Sequence, residues 1–123
     1  MSDDLSDVFA ALADPTRRRI LDDLAARPDG ATATELARDL PVTRQAVVKH
    51  LQILLRSGLA EARRHGREVR YLVRPSSARP AATWIDERTT SWEKRLERLT
   101  ALLDPRAPAE STREPENPGR VRG

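Results

Sequence analysis

Five side chains between positions 44 and 52 combine cationic, amide and small apolar groups of a kind that contacts nucleic-acid bases. Placed about 100° apart on a helix, they fall on one side, whereas Val47, Leu51 and Leu54 fall on another. Arginine and lysine donate to guanine O6 and N7, glutamine bonds adenine in both directions, and valine contacts the thymine methyl group. We call this set the recognition face; it comprises Arg44, Gln45, Val48, Lys49 and Gln52. Its composition predicts contacts to base edges in a major groove.

The charge of the chain is concentrated around this face. The 123 residues carry a net charge of +3, but residues 1–40 contain five basic and nine acidic residues. Residues 41–74 contain eight basic residues against only Glu61 and Glu68, a net charge of +6. Surface helices usually mix acids and bases, whereas segment 43–57 contains no acid. This distribution predicts binding to a polyanion.

Helix signals place the recognition face in a helix-turn-helix. Thr32 and Glu35 form the capping-box pattern of a short helix, which Pro41 ends. Thr43 can cap the next helix, which is predicted over residues 43–57. Because only a few residues separate the two helices, they form a helix-turn-helix arrangement.

Two further helices are predicted upstream. Apolar spacing indicates the first at about residues 5–13, and Asp14-Pro15 is the typical start of the second. Arg17 lies toward the core side of the second helix, where we expect a structural ion pair. His50 lies away from the recognition face and is expected to make a structural hydrogen bond rather than to bind a ligand.

A short basic hairpin is predicted immediately downstream of Gly58. Residues 59–64 and 68–73 have the composition of strands, the second with alternating half-buried positions, and residues 65–67 form the turn. A hairpin in this position is a wing, and we use that name for residues 59–73. The residues expected at the DNA backbone or in the wing are Thr43, Arg56, Arg63, Arg64, His65, Gly66 and Arg67.

The last predicted helix, residues 77–103, has a heptad-like apolar seam that indicates a partner helix. A chain of this size buries a modest fraction of its surface, so a second copy is the expected partner. Trp84 and Trp92 are interpreted as interface core, with a small-molecule pocket as the alternative. The predicted dimer interface comprises Leu5, Val8, Phe9, Leu12, Trp84, Ile85, Trp92, Leu96, Leu99 and Leu103.

Together these elements predict a mainly α-helical winged helix-turn-helix fold with the order α1-α2-α3-α4-β-β-α5, in a dimer. Residues 1–103 are expected to form the DNA-binding domain, with dimerisation helices at about 5–13 and 77–103. Residues 104–123 are rich in proline and charge and poor in apolar side chains, which predicts a disordered tail.

Several functional classes find no support in the sequence. The chain has no cysteine, no glycine-rich phosphate loop, and no histidine placed with a carboxylate and a nucleophile. We therefore expect no catalytic residues, no metal site, no cofactor and no enzymatic activity. No apolar run reaches the length of a membrane span, so we expect a cytoplasmic protein without a membrane partner.

Two segments of the chain, in the order in which the family has them, resemble the ArsR family of winged-helix repressors. They are residues 8–21 (VFAALADPTRRRIL) and residues 43–51 (TRQAVVKHL), followed by Ser57-Gly58-Leu59 and the wing. The resemblance implies a bacterial homodimer joined through its first and last helices. It also implies double-stranded DNA with a palindromic operator as the partner.

The family's founding members sense metals through a cysteine pair in the third helix or His and Asp ligands in the last. In this chain Ala37 and Asp39 stand where the cysteines would fall, and the last helix has no histidine. The pattern around Trp84 and Trp92 resembles a metal-independent branch, often encoded beside SRPBCC-type ligand-binding proteins. A small-molecule effector is compatible with that branch but is not identified by the sequence.

A winged helix can serve as a protein-interaction module that has no specific DNA binding. The basic and acid-free character of segment 43–57 favours DNA recognition over that alternative.

Overall fold

A computed structural model describes residues 3–104 and Arg106. Five helices and one two-stranded antiparallel sheet follow in the predicted order, which confirms the winged helix-turn-helix fold. The chain divides into two compact units, Met1–Thr83 and Trp84–Gly123. The elements are α1 (Asp3–Leu12), α2 (Pro15–Ala25), α3 (Ala33–Arg38), α4 (Arg44–Arg56), β1 (Ala60–His65), β2 (Glu68–Val73), a 3₁₀ turn (Pro75–Ala78) and α5 (Arg79–Leu103).

The helix starts form as their capping residues predict. The Asp14 carboxylate accepts a hydrogen bond from the Arg17 backbone N–H at 3.0 Å, and Pro15 is the first residue of α2. At α3, Thr32 Oγ1 accepts from the Glu35 N–H at 3.1 Å, and Glu35 Oε1 accepts from the Thr32 N–H at 2.9 Å. These reciprocal bonds satisfy N–H groups that have no partner within the helix.

The core of the first unit is aliphatic. Its largest fully buried side chains come from α2, α3 and α4, and each full burial of this kind contributes about 1.5–3 kcal/mol. They are Ile20, Leu24, Leu36, Val47, Leu51 and Leu54. This packing fixes the rotation of α4 about its axis and thereby determines which of its residues face outward.

The hairpin is anchored to the segment before α3. Tyr71 exchanges backbone hydrogen bonds with Ala31 at 2.8 and 3.0 Å. Ala31 thereby forms an isolated antiparallel bridge to β2. Gly30 adopts φ +76°, and a Cβ there would lie 2.2 Å from the Tyr71 carbonyl oxygen. A side chain at position 30 would therefore conflict with both the backbone conformation and the bridge.

The burial pattern of β2 and the positions of β1 and the last helix differ from the predictions. Residues 69–73 are all half-buried rather than alternating, because the Ala31 bridge and nearby backbone contacts also cover Arg70 and Leu72. The strand β1 covers residues 60–65, one position later than predicted. The last helix begins at Arg79 after a 3₁₀ turn, and Pro80 lies in its first turn, where a missing N–H is tolerated.

Most of the predicted tail, residues 104–123, lies outside the described residues. Within the described part of the chain, no helix combines the length and the apolar character required to cross a membrane.

Candidate nucleic-acid interface

Helix α4 presents the recognition face as one continuous surface. Thr43 Oγ1 accepts a hydrogen bond from the Ala46 N–H at 3.0 Å and caps the helix. The five predicted residues together line a shallow hollow of about 500 Å³. Val48 is half-buried and also packs on the core, so it forms the margin of the face. The structure therefore brings together the whole predicted set.

Arg44 is held at the start of this face by the preceding helix. Its Nε donates a hydrogen bond to Thr34 Oγ1 of α3 at 3.0 Å. The guanidinium has no carboxylate partner among residues 3–104, so its charge is not neutralised by an ion pair within that range. Contacts between α3 and α4 side chains cannot be deduced from helical spacing, and the sequence gives no direct signal for this bond.

The acidic residues near the interface are engaged by arginines. Arg70 contacts Glu68 at 3.2 Å through Nη1 and Glu35 at 3.5 Å through Nη2. Glu61 contacts Arg63 Nη2 at 2.7 Å and Arg74 Nε at 3.4 Å. Both acids of the basic segment 41–74 are therefore paired, which reduces electrostatic repulsion of a nearby phosphate.

Arg70 also fixes the hairpin to the body of the first unit. Its Nε donates to the Asp29 carbonyl at 3.0 Å, and its Nη2 donates to the Gly30 carbonyl at 2.9 Å. The side chain is only 23% exposed. Residue type alone marks Arg70 only as basic charge, and no local sequence signal indicates this anchoring role.

The tip of the wing is open and cationic. Arg64, His65 and Arg67 are exposed, and the turn at Gly66 has φ +62°. Among the residues that the structure describes, Arg64 and Arg67 form no ion pair, whereas Arg63 is bound to Glu61. Arg64 and Arg67 are thus better placed than Arg63 to contact phosphates.

A second, polar hollow lies between the recognition helix and the wing. It has a volume of about 580 Å³ and is lined by residues of α3, the first turns of α4, and β2. Arg38, Arg44 and Arg67 all line it. Arg38 was not among the predicted site residues, because its segment is acidic overall and gave no charge signal.

Arg56 is separated from this surface. It lies at the opposite end of α4, about 18 Å along the axis from Arg44. There it lines a hollow with Asp4, Leu5 and Val8 of α1. Net charge along the sequence grouped Arg56 with the wing, but its position on the helix does not, so we leave it out of the interface.

Arg17 of α2 and His50 of α4 make structural contacts away from the recognition face. Arg17 donates from Nε to the Ala11 carbonyl at 2.8 Å and from Nη2 to the Ala10 carbonyl at 3.0 Å. Its Nη1 lies 3.4 Å from His50 Nδ1. Arg17 therefore has the predicted structural role, but it binds the last carbonyls of α1 rather than a carboxylate.

The residues predicted for a dimer interface differ in exposure. In the first unit, Val8 is only 4% exposed, so it belongs to the core of its own chain and we leave it out of the interface. Leu5, Phe9 and Leu12 are half-buried and pack partly against the same core. In the second unit, Trp84 is half-buried and Arg88 lies 4.5 Å above its ring.

The apolar side chains farther along α5 are exposed in the single chain. Leu102 has this property too, although the heptad spacing did not select it. They are Ile85, Trp92, Leu96, Leu99, Leu102 and Leu103, with exposed fractions from 47 to 72%.

Neither family metal position forms a metal site in the described structure. Ala37 has no donor atom, and Asp39 Oδ2 is bound to Arg27 Nη2 at 3.0 Å. Over residues 3–104 and Arg106, no group of three or more His, Cys, Asp or Glu side chains could hold a metal ion.

Known proteins resemble the chain over most of its length. A helix-turn-helix domain family matches residues 12–63. The HTH-type transcriptional regulator Rv2034 of Mycobacterium tuberculosis is 38% identical over 96 residues, which span 78% of this chain and 85% of that protein. An ArsR-like transcriptional regulator from Rhodococcus sp. RHA1 aligns with a TM-score of 0.70 at 39% identity, covering 80% of this chain and 89% of that one.

A further solved structure carries information on assembly. It is the homodimeric winged helix-turn-helix DNA-binding domain of a Mycobacterium bovis protein, determined by solution NMR. It aligns with a TM-score of 0.58 at 29% identity, covering 78% of this chain and 84% of that one.

Proposed function

The chain belongs to the ArsR family of winged helix-turn-helix transcriptional regulators, and from this premise we propose that it is a homodimeric repressor of a palindromic operator. The recognition face of α4 contacts base edges in the major groove, and the wing contacts the adjacent backbone. The resemblance of residues 8–21 and 43–51 to ArsR-family repressors supports repression. The protein acts in the bacterial cytoplasm as a DNA-binding regulator rather than as an enzyme.

One observation supports this proposal most directly. The five side chains of the recognition face share one exposed surface, while the opposite side of α4 is fully buried. Arg64 and Arg67 of the wing add positive charge that no carboxylate among the described residues pairs, and both acids of segment 41–74 are engaged by arginines. Such a surface can bind phosphates without sequence preference and distinguish bases through the face itself.

Homodimer formation supports recognition of a palindrome. The exposed apolar side chains of α5 require a cover, and a related winged helix-turn-helix domain is homodimeric. Two copies related by a two-fold axis would place their recognition helices in half-sites roughly 34–36 Å apart.

Selection of bound sequences from random duplex DNA tests this function. We expect one palindromic sequence to be enriched, with log affinity falling linearly as log salt concentration rises. The slope should be about −0.9 for each phosphate contact. An intact dimer that enriches no sequence would contradict the proposal and favour a protein-interaction module.

The proposed regulator is metal-independent. Ala37 and Asp39 offer no ligand pair, and the carboxylates of α5 are better suited to solvent than to a soft metal. A ligand that releases DNA must bind the DNA-incompetent state more tightly than the competent one. Tryptophan fluorescence at Trp84 and Trp92, measured across a panel of metabolites, would detect an effector that binds the seam.

A further inference from the structure

We infer that Thr34 is a specificity-determining residue that acts on DNA through Arg44. This inference rests on the proposed function, because it assigns a positioning role within the proposed recognition face. The observation that carries it is the 3.0 Å hydrogen bond from Arg44 Nε to Thr34 Oγ1. The bond joins the first helix of the helix-turn-helix to the first residue of the second.

The side chain of Arg44 borders two different hollows and could extend into either. It lines the hollow on the α4 face, and it also lines the polar hollow that extends to Arg67 of the wing. An arginine side chain loses considerable rotamer freedom when it is ordered, so an unrestrained one would sample both directions. A single bond to Nε removes much of this freedom before DNA arrives.

The geometry of the bond leaves Nη1 and Nη2 of the guanidinium available as donors. Nε is the donor to Thr34, so the four N–H groups on Nη1 and Nη2 remain for a partner. Two of them can donate together to guanine O6 and N7. Threonine supplies an oxygen acceptor without a charge, so the positive charge of Arg44 is retained for DNA.

Thr34 lies on a helix whose position is fixed by core packing and by its cap. Its neighbours Ala33 and Leu36 are 4% and 0% exposed, and the capping box between Thr32 and Glu35 fixes the first turn of α3. The Thr34 hydroxyl is therefore held by a helix that cannot rotate without disturbing the core. This distinguishes it from a flexible surface threonine.

Two substitutions separate the hydroxyl from the size of the side chain. Thr34→Val retains the branched shape and removes the acceptor, whereas Thr34→Ser retains the hydroxyl. The base position that depends on Arg44 is identified first, by comparing sequences selected by the parent and by Arg44→Ala. At that position we expect Thr34→Val to reduce discrimination by about two- to tenfold, the range for one hydrogen bond. Thr34→Ser should preserve it.

A double-mutant cycle provides the decisive comparison. In the Arg44→Ala background, Thr34→Val should cause no further loss of discrimination. In the parent background, Thr34→Val should leave the salt slope unchanged, because it removes no phosphate contact. Thermal unfolding of each variant checks that the fold is intact.

Three results would overturn the inference. Equal losses in both backgrounds, or a smaller salt slope for Thr34→Val, would mean that Thr34 contacts DNA itself. Full discrimination by Thr34→Val would mean that the bond has no positioning effect. A parent protein that selects no sequence would instead overturn the proposed function, and the inference with it.

Discussion

Arg44 and Arg67 carry the same charge but are placed for different tasks. Arg44 begins the recognition face on a helix whose opposite side is buried, whereas Arg67 lies in the exposed turn of the wing. A base contact and a phosphate contact have different measurable consequences, because only the first depends on sequence while the second dominates the salt dependence.

Alanine substitutions at these two positions should therefore separate specificity from general affinity. Arg44→Ala should cost about 1–3 kcal/mol on the preferred sequence and relax preference at one position. Arg67→Ala should weaken all sequences similarly and reduce the salt slope by about 1. Titration of labelled duplexes at several salt concentrations measures both. The assignment of the face would be wrong if both variants bound the operator as the parent does.

Residue spacing predicted the recognition face because helical geometry alone determines which side chains share a side. The same reasoning could not place Arg56, since its neighbours are set by how α1 packs against the end of α4. It also could not detect three of the partners of Arg70, namely Asp29, Gly30 and Glu35, which are 35 to 41 positions away in the sequence. Contacts of this kind follow from tertiary packing and have no local signature.

At the scale of the elements, Arg70 connects the wing to the segment that precedes α3. Arg70→Met retains the aliphatic stem and removes all donors, which leaves the Asp29 and Gly30 carbonyls without this partner. We expect the free energy of unfolding to fall by about 1–3 kcal/mol. DNA affinity should fall for every sequence, because Glu68 loses its cationic partner and Glu35 keeps only the more distant Arg27 at 3.9 Å.

Arg63→Met is the matched control for the stability measurement. Arg63 is in the same hairpin but is 62% exposed, and its one ion-pair partner among the described residues is Glu61. Its loss should cost at most about 1 kcal/mol. Chemical denaturation of the three proteins measures the difference, and equal losses from the two substitutions would refute the anchoring role of Arg70.

The caps of α2 and α3 predict how stability depends on pH. The hydrogen bond from the Thr32 backbone N–H, followed by the charges of Arg70 and Arg27, holds the pKa of Glu35 below its ordinary value of 4.5. A hydrogen bond from the Arg17 backbone N–H likewise lowers the pKa of Asp14 below 3.8. A carboxyl group whose folded-state pKa is lowered stabilises the fold above its unfolded pKa, and this contribution disappears as pH falls through the folded value.

The free energy of unfolding should consequently decrease as pH falls below about 4.5. Glu35→Gln retains an acceptor for the capping box but cannot titrate, so its unfolding free energy should depend less steeply on pH in that range. Urea denaturation at pH 7 and at a series of lower values tests this. Identical pH profiles for the parent and Glu35→Gln would show that the cap does not contribute.

Helix starts were predictable because a capping side chain and its target N–H are only three residues apart. The 3₁₀ turn before α5 and the uniform half-burial of β2 were not, for different physical reasons. The first depends on how the chain leaves the hairpin, and the second on the distant bridge between Ala31 and Tyr71. The type of each element could therefore be predicted from local sequence, whereas its exact ends and its burial depended partly on tertiary contacts.

At the scale of the whole molecule, the order of the elements followed from the sequence, but the identity of the covering surface for α5 did not. The single chain leaves a seam of large apolar side chains open to solvent. Exposed apolar area of this kind marks an interaction site in a soluble protein. Heptad spacing favours another helix as the cover, and two-fold symmetry would also supply a second recognition helix.

Substitution on the seam should therefore disrupt the dimer and operator binding together. Leu99 is 52% exposed in the single chain, so Leu99→Glu removes no core contact but would bury a charge between two copies. Loss of the leucine alone should weaken the dimer by about 1.5–3 kcal/mol. Ala101→Glu is the matched control, since Ala101 is exposed on the opposite side of the same helix.

Sedimentation velocity over a range of protein concentrations measures the assembly of both variants, and titration with a full palindrome and with a single half-site measures binding. Leu99→Glu should dissociate and lose affinity for the palindrome while its affinity for a half-site is retained, because each monomer still carries an intact recognition face. A dimeric Leu99→Glu protein would show that α5 is covered by something else. Dissociation of the Ala101→Glu control would show that added charge on α5, rather than the seam, controls assembly.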